Sequence, residues 1–420
     1  MPTNPGDDAP TSTPAAETVA VELSRPPARV RLIQLDVLRG IAVLLVLLNH
    51  RPATPAAFRG WSDRLFEPLS PGYWSGVDLF FVLSGFLVGG LLIGELRSTG
   101  RLDVKRFWIR RGLKIWPSYY LYLIVLMVVT ALFYVDHSIP GAQRWGLLVN
   151  SVKWVYLQNY FNASKVPYVP HTVGNHTWTL AVEEHFYMLL PLVLLAAGRA
   201  WRKVIPAVTL GLLLGCLAIR LGTYHRPMDW VRDYQVTHKR IDSLFLGVFL
   251  AYLAQERPAL LARLGQHRLV LAVVGLLLVA PAFVLDLGQY AFMYTFGYTF
   301  LALGYGAVLL AFVTTTPGEG WFGRALVSGP ARALAGLGFW SYAVYLWHVE
   351  WSILLTALGD RVPTAVTAIP LPWRDVWVLL YLAGSVGLGV LLGRLVEQPV
   401  LLWRDRVFPS RSRVTSRETS

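Results

Sequence analysis

The sequence predicts an all-α, polytopic integral membrane protein with about ten transmembrane helices, and three observations carry that prediction. Apolar residues make up 55% of the 420-residue chain and charged residues only 15%, against roughly 25% charged in an ordinary soluble domain. Mean hydropathy is positive, at +0.47. The apolar residues fall in runs of roughly 17 to 25, the length at which a helix crosses the hydrocarbon of a bilayer, and Lys and Arg gather between the runs. A soluble fold has no way to bury that much apolar surface; lipid covers it.

The runs lie near residues 33–50, 76–96, 115–135, 178–198, 203–221, 241–255, 269–286, 291–313, 333–358 and 376–403. The fourth carries acids and the sixth is short. The net charge of +13 would point to nucleic acid in a soluble protein, but a solvated basic patch needs a soluble surface, so no nucleic-acid partner is expected. Counted in alternate loops, Lys and Arg number about 23 on one side and about 13 on the other, which places both termini in the cytoplasm; the expected location is the plasma (inner) membrane. The strongest single vote is the stretch holding Arg97, Arg101, Lys105, Arg106, Arg110, Arg111 and Lys114.

Residues 1–30, rich in Pro, Ala, Thr and acids, read as a disordered cytoplasmic tail, and residues 404–420 as a basic one, around a membrane domain at 31–403. The start of the chain lacks the basic, apolar and small-residue regions of a secretory signal. The segment from about Asp136 to Thr177, outside by this topology, is rich in Tyr, Trp, Asn and Pro and suits interfacial or re-entrant pieces. A single cysteine, Cys216, excludes an intrachain disulfide and a cysteine-based metal site. No metal is expected.

Ionisable side chains within spans are expensive and therefore candidates for function. In the first run Asp36 and Arg39 share a helix face and can pair. His50 follows Arg39 by three turns, roughly 16 Å along the axis. A bland reading makes Arg39 a snorkelling cation neutralised by Asp36 and His50 an interfacial residue. In the second run Asp78 enters a helix beside Phe80, Phe81 and Phe86, while Ser84 and Gly85 permit close approach of a neighbouring helix. Arg106, Arg110, Arg111 and Lys114 form two basic ridges suited to phosphates of a soluble cofactor, or to ordinary anchoring.

The fourth run, Thr177-Trp178-Thr-Leu-Ala-Val-Glu183-Glu184-His185-Phe-Tyr187, holds two carboxylates and a histidine that packing alone does not explain, with Glu183 and Tyr187 on one face. Further on, Arg240 and Asp242 open the sixth run, and Ser341, Tyr345 and His348 recur at helical spacing as a polar stripe able to line a cavity. Trp178, Ser84, Tyr187, Asp78, Arg240, Asp242, Tyr345 and His348 are the expected substrate-cavity residues.

Taken together, these segments resemble the acyltransferase 3 family of multi-pass membrane O-acyltransferases. The resemblance rests on the Leu35-Asp-Val-Leu-Arg-Gly-Ile-Ala opening with Arg39 and His50 eleven apart, the Gly76-to-Phe86 run, the Arg-rich third entry, Trp178-Thr-Leu-Ala-Val-Glu-Glu-His-Phe-Tyr, and Tyr345-Leu-Trp-His348. Val37, His185 and Glu350 depart from the residues usual there. The resemblance implies a stand-alone form without a C-terminal hydrolase-like domain.

It also implies acyl-CoA, with acetyl-CoA the expected donor, and a hydroxyl-bearing acceptor: a saccharide, a lipid-linked sugar or a secondary metabolite such as a macrolide. Arg39 and the Arg106, Arg110, Arg111 and Lys114 ridges would hold the phosphates. His50 would be the general base, with Glu183 or Glu184 orienting it and Asp36 beside Arg39. Direct transfer is favoured over a covalent intermediate, because no Ser, Cys or Lys stands in an evident activated setting. A transporter or flippase of a polysaccharide precursor is the alternative from another class, since it too needs intramembrane charge.

Overall fold

The computed structural model describes residues 32–52, 61–130, 151–161, 174–225, 227–359 and 375–409. Both expected tails up to residue 31 and beyond 409, and most of the segment expected outside, lie beyond the described residues. Among the described residues every regular element is helical. The longer helices are α1 (Ile33–Asn49), α2 (Gly76–Thr99), α3 (Val104–Val129), α4 (Trp178–Ala197), α5 (Trp201–Gly222), α6 (Ile241–Glu256), α7 (Arg268–Val279), α8 (Tyr298–Val313), α9 (Gly329–Phe339), α10 (Ser341–Gly359), α11 (Val376–Leu392) and α12 (Gln398–Val407).

A helix stands at each expected run, but the lengths differ. Among the described residues five stretches are long and apolar enough to cross a membrane, Arg64–Thr99, Val104–Val129, Asn175–Gly222, Met293–Val313 and Val376–Val407, or six if α6 and the helix Pro258–Gln266, bent by 103°, form one span. The 17 residues of α1 reach only about 25 Å at 1.5 Å per residue, short of a hydrocarbon core of about 30 Å.

Several boundaries move for identifiable reasons. The basic stretch expected as a loop is the start of α3, because the Asp103 side chain caps it by accepting the Arg106 N–H at 3.0 Å. The ninth run is two helices meeting at Trp340: α9 lies along α1, while α10 pairs with α11. Single π turns, Met293–Gly297 and Gly393–Glu397, interrupt the eighth and tenth runs. The basic tail expected from residue 404 is still helical to Val407.

Small residues set the tightest contacts, as expected where lipid provides no driving force between helices. A Cβ on Gly85 of α2 would stand 1.9 Å from the Leu244 carbonyl oxygen of α6, and one on Gly247 2.2 Å from that of Val82. Likewise Gly40 of α1 faces the Leu334 carbonyl and Gly338 of α9 the Asp36 carbonyl. These are contacts of backbone on backbone, and they fix how deep α1 and α2 sit.

Two enclosed ion pairs complete the framework. Arg240 meets Asp78 at 2.7 Å and Arg220 meets Asp242 at 2.5 Å, all four side chains at 0% exposure. The Arg240 guanidinium also lies 4.0 Å from the Tyr298 ring centroid and 4.9 Å from that of Tyr234. Asp78 and Arg240, expected in a substrate cavity, are thus fastened to each other, and Asp242, expected there too, to Arg220, between α2, α5 and α6. A buried charge without its partner is strongly destabilising, so a fully enclosed arginine takes a carboxylate and aromatic faces.

Candidate active site

Between α1, α2, α3, α4 and α10 lies a cavity of about 440 Å³. Its walls are mostly apolar, with Val77, Phe80, Phe86 and Leu87 among them, and its polar groups are unevenly placed. At one end stand Arg39, Arg111 and Lys114. Toward the other, Thr179 and Tyr345 line the wall.

The cationic end is assembled by helix geometry. Arg39 lies in the second turn of α1, within electrostatic reach of Asp36, Glu397, Glu183 and Arg111. Arg111 and Lys114 are on one face of α3, and the Arg111 guanidinium lies 4.6 Å from the Tyr187 ring centroid. Tyr187 donates to Glu183 Oε2 at 2.9 Å and is bonded to Ser84 Oγ at 2.6 Å. Glu183 lines the cavity through this chain, whereas Glu184 turns away and accepts the Trp116 indole N–H at 3.4 Å.

Only one of the two basic ridges reaches the cavity. Arg106 donates to the Pro409 carbonyl, and Arg110 donates to the Phe408 carbonyl and pairs with Asp405 at 3.2 Å. Both were expected on cofactor phosphates. They instead hydrogen-bond the carbonyls just past the end of α12, at the pole of the helix dipole that attracts cations.

The other end abuts a cluster of histidines. His50 is the partly exposed residue that caps α1, His348 lies within α10 at 0% exposure, and His176 is buried in the turn before α4. Ring centroids are 4.9 Å apart for His50 and His348, 5.2 Å for His176 and His348, and 6.5 Å for His50 and His176. Tyr345 separates this cluster from the cavity. Its ring is 5.5 Å from His176 and 5.6 Å from His348, and its hydroxyl donates to the His176 carbonyl at 2.7 Å while bonded to Thr179 at 2.6 Å. The cavity thus carries a group of cations, apolar walls and an aromatic partition backed by imidazoles.

With that arrangement in view, comparison with known proteins decides the family. A family model described as an acyltransferase domain matches residues 32–394, most of the chain. The chain belongs to the acyltransferase 3 family. Among its curated relatives is the peptidoglycan O-acetyltransferase OatA of Listeria monocytogenes, 26% identical over 375 residues that cover 87% of this chain and 55% of that protein. Another, named "Putative peptidoglycan O-acetyltransferase YrhL", from Bacillus subtilis, is 28% identical over 387 residues, 90% of this chain and 56% of that one. The chain spans about half the length of the curated relatives it matches. No solved structure matches it.

Within this acyltransferase 3 chain, Arg39, Arg111 and Lys114, expected on cofactor phosphates, Glu183, expected beside the base, and Ser84, Tyr187 and Tyr345, expected in a substrate cavity, all line this one cavity. Trp178 and His348 stand behind its wall. The expectation that Glu183 or Glu184 orients His50 is not met among the described residues, where their hydrogen bonds go to Tyr187 and Trp116. His50 is flanked by His348 and His176 instead.

His176 is the residue that sequence reasoning missed. It sits in Asn175-His-Thr177, which matches a glycosylation sequon, and the available signal was its position two residues before Trp178 at the head of a charged helix. The departures from the family pattern all lie off the cavity wall: Val37 packs on Ala331 and Ala335, His185 is bonded to Thr237 at 2.7 Å, and Glu350 accepts the Tyr122 hydroxyl at 2.5 Å.

Proposed function

We propose that this chain moves an acetyl group from acetyl-CoA to a hydroxyl of a cell-wall glycan, with His50 as the general base. The observation that carries this reading is the polarity of the cavity, three cations at one end and three imidazoles beyond the other. Phosphates of the donor are held by Arg39, Arg111 and Lys114 through charge-assisted hydrogen bonds. The thin pantetheine arm lies along the apolar wall of α1 and α2. Tyr345 shifts for the thioester carbonyl to reach His50, whose partial exposure offers the acceptor its own approach.

His50 removes the hydroxyl proton, the oxygen attacks the carbonyl carbon, and the sulfur leaves. The acceptor class follows the relatives, two of which are named for peptidoglycan. Ten crossings with both termini in the cytoplasm of a plasma-membrane protein belong to the same reading. In support, the Asn175–Gly222 stretch, α4 and α5 separated by a turn at Gly198–Ala200, has 48 residues, about 72 Å of helix and more than two bilayer cores of about 30 Å.

The test is thiol release from acetyl-CoA by purified protein in lipid, with a soluble peptidoglycan fragment as acceptor. His50→Ala is expected to lower kcat by about 100-fold or more, and Arg39→Ala to raise KM for acetyl-CoA. Full turnover in the His50 variant would sink the mechanism, and movement of intact glycan with no thiol release would favour a transporter.

A further inference from the structure

Each imidazole of the cluster has one nitrogen committed to a backbone carbonyl. Nδ1 of His50 bonds Val46 O at 3.0 Å, Nδ1 of His348 bonds Tyr345 O at 2.6 Å, and Nε2 of His176 bonds Leu346 O at 3.1 Å. A carbonyl only accepts, so those nitrogens carry the hydrogens and the opposite ones are bare lone pairs. Nε2 of His348 and Nδ1 of His176 are buried with no hydrogen-bond partner. Unpaired buried acceptors are unfavourable, and two of them beside a third imidazole are hard to explain as packing. They are explained if a hydrogen arrives during the reaction.

We infer that His348, supported by His176, receives the proton that His50 takes from the acceptor hydroxyl. This inference rests on His50 being the general base. The acceptor O–H bond breaks and its proton goes to Nε2 of His50. The oxygen keeps the electron pair and bonds the acyl carbon, and the C–S bond breaks with its pair on sulfur. The proton then moves from Nε2 of His50 to Nε2 of His348, which returns His50 to its neutral form, and is finally delivered to the thiolate to give the free thiol.

His348 is the nearer partner of His50, by 4.9 Å against 6.5 Å for His176. His176 acts as a positioning residue: it stands 5.2 Å from His348 and is held through its own carbonyl by Tyr345. Other titratable groups facing the cluster are Tyr345 on α10, Tyr122 on α3 with its ring 5.9 Å from His176, Glu350 bonded to Tyr122, and Lys153, within electrostatic reach of His176. Among the described residues no set of side chains is arranged to hold a metal ion, and the bare nitrogens are of the kind that can accept a proton.

The experiment is nitrogen NMR of the full chain in lipid with labelled histidine, compared with His348→Gln and His348→Asn. In the parent protein the His50 and His348 resonances are expected to move together on acidification, as one shared proton enters, and in either variant His50 moves alone. Independent titration of the two in the parent would overturn the inference. Tight binding of added zinc, lost in both variants, would overturn it as well.

Thiol release from acetyl-CoA provides the second reading. His348→Gln is expected to lower kcat by about 100-fold with KM for acetyl-CoA unchanged, and to reduce the solvent deuterium isotope effect, which a merely structural defect would leave alone. An inactive His50→Ala beside a fully active His348→Gln removes the proton relay and keeps the general base. Full activity in His50→Ala removes both.

Discussion

The imidazoles of His50 and His348 meet edge-on, 4.9 Å apart at their centroids with 71° between their planes, although one caps α1 and the other lies in α10. Neighbours hold the end of α1 in that position: Ser352 Oγ donates to the His50 carbonyl at 2.8 Å and Tyr381 to the Leu47 carbonyl at 2.8 Å. Removing both donors with Ser352→Ala and Tyr381→Phe should cost about 1–3 kcal/mol in sum. The expected outcome is a thermal midpoint lowered by several degrees and a several-fold drop in kcat, read by melting in detergent and by thiol release.

The two basic ridges of α3 have different surroundings and, on the proposed function, should separate in kinetics. Arg111→Ala and Lys114→Ala are expected to raise KM for acetyl-CoA about tenfold or more, the loss of a charge-assisted hydrogen bond being about 1.5–3 kcal/mol. Arg106→Ala and Arg110→Ala should leave KM unchanged and instead loosen the end of α12, seen as earlier proteolytic cleavage near residues 405–409.

Breaking one partner of the Asp78–Arg240 pair leaves the other enclosed and uncompensated. Asp78→Asn is expected to destabilise by about 3–5 kcal/mol, visible as reduced accumulation in the membrane and a lower melting temperature. Replacing both partners by apolar residues of similar volume should recover much of that loss, because the unpaired charge is gone.

Contact of backbone on backbone makes Gly85 intolerant of even one methyl group. Gly85→Ala should destabilise by about 1–3 kcal/mol, since its Cβ would fall 1.9 Å from the Leu244 carbonyl oxygen. Gly387 of α11 has open space at its Cβ, so Gly387→Ala should be neutral or stabilise by up to about 1 kcal/mol. Parallel melts of the two variants check the contrast.

The helices were legible because hydropathy records what lipid demands of each segment independently. Gly85 and Ser84 were legible too, as small residues in an apolar run. What escaped the sequence depends on partners far along the chain. Nothing in the spacing of Asp78 announces Arg240, and nothing near Arg106 and Arg110 announces that the carbonyls of Phe408 and Pro409 return to meet them. The family resemblance put Glu183 or Glu184 beside His50, yet the packing of α4 turns Glu183 toward Arg111 and gives His50 other histidines. The break at Trp340 had no proline to mark it, so hydropathy ran two helices into one.

That break makes the two sides of the cavity mechanically unlike. One side, α1, is a beam: it is continuous from Ile33 to Asn49 and backed by α9 through Gly40 and Gly338, so Arg39 and His50 keep a fixed separation. The other side is two helices that meet at Trp340, and the partition formed by Tyr345 lies one turn past that junction. The partition between the cations and the imidazoles therefore belongs to the helix that begins at the junction, whereas Arg39 and His50 share one uninterrupted helix and its C-cap.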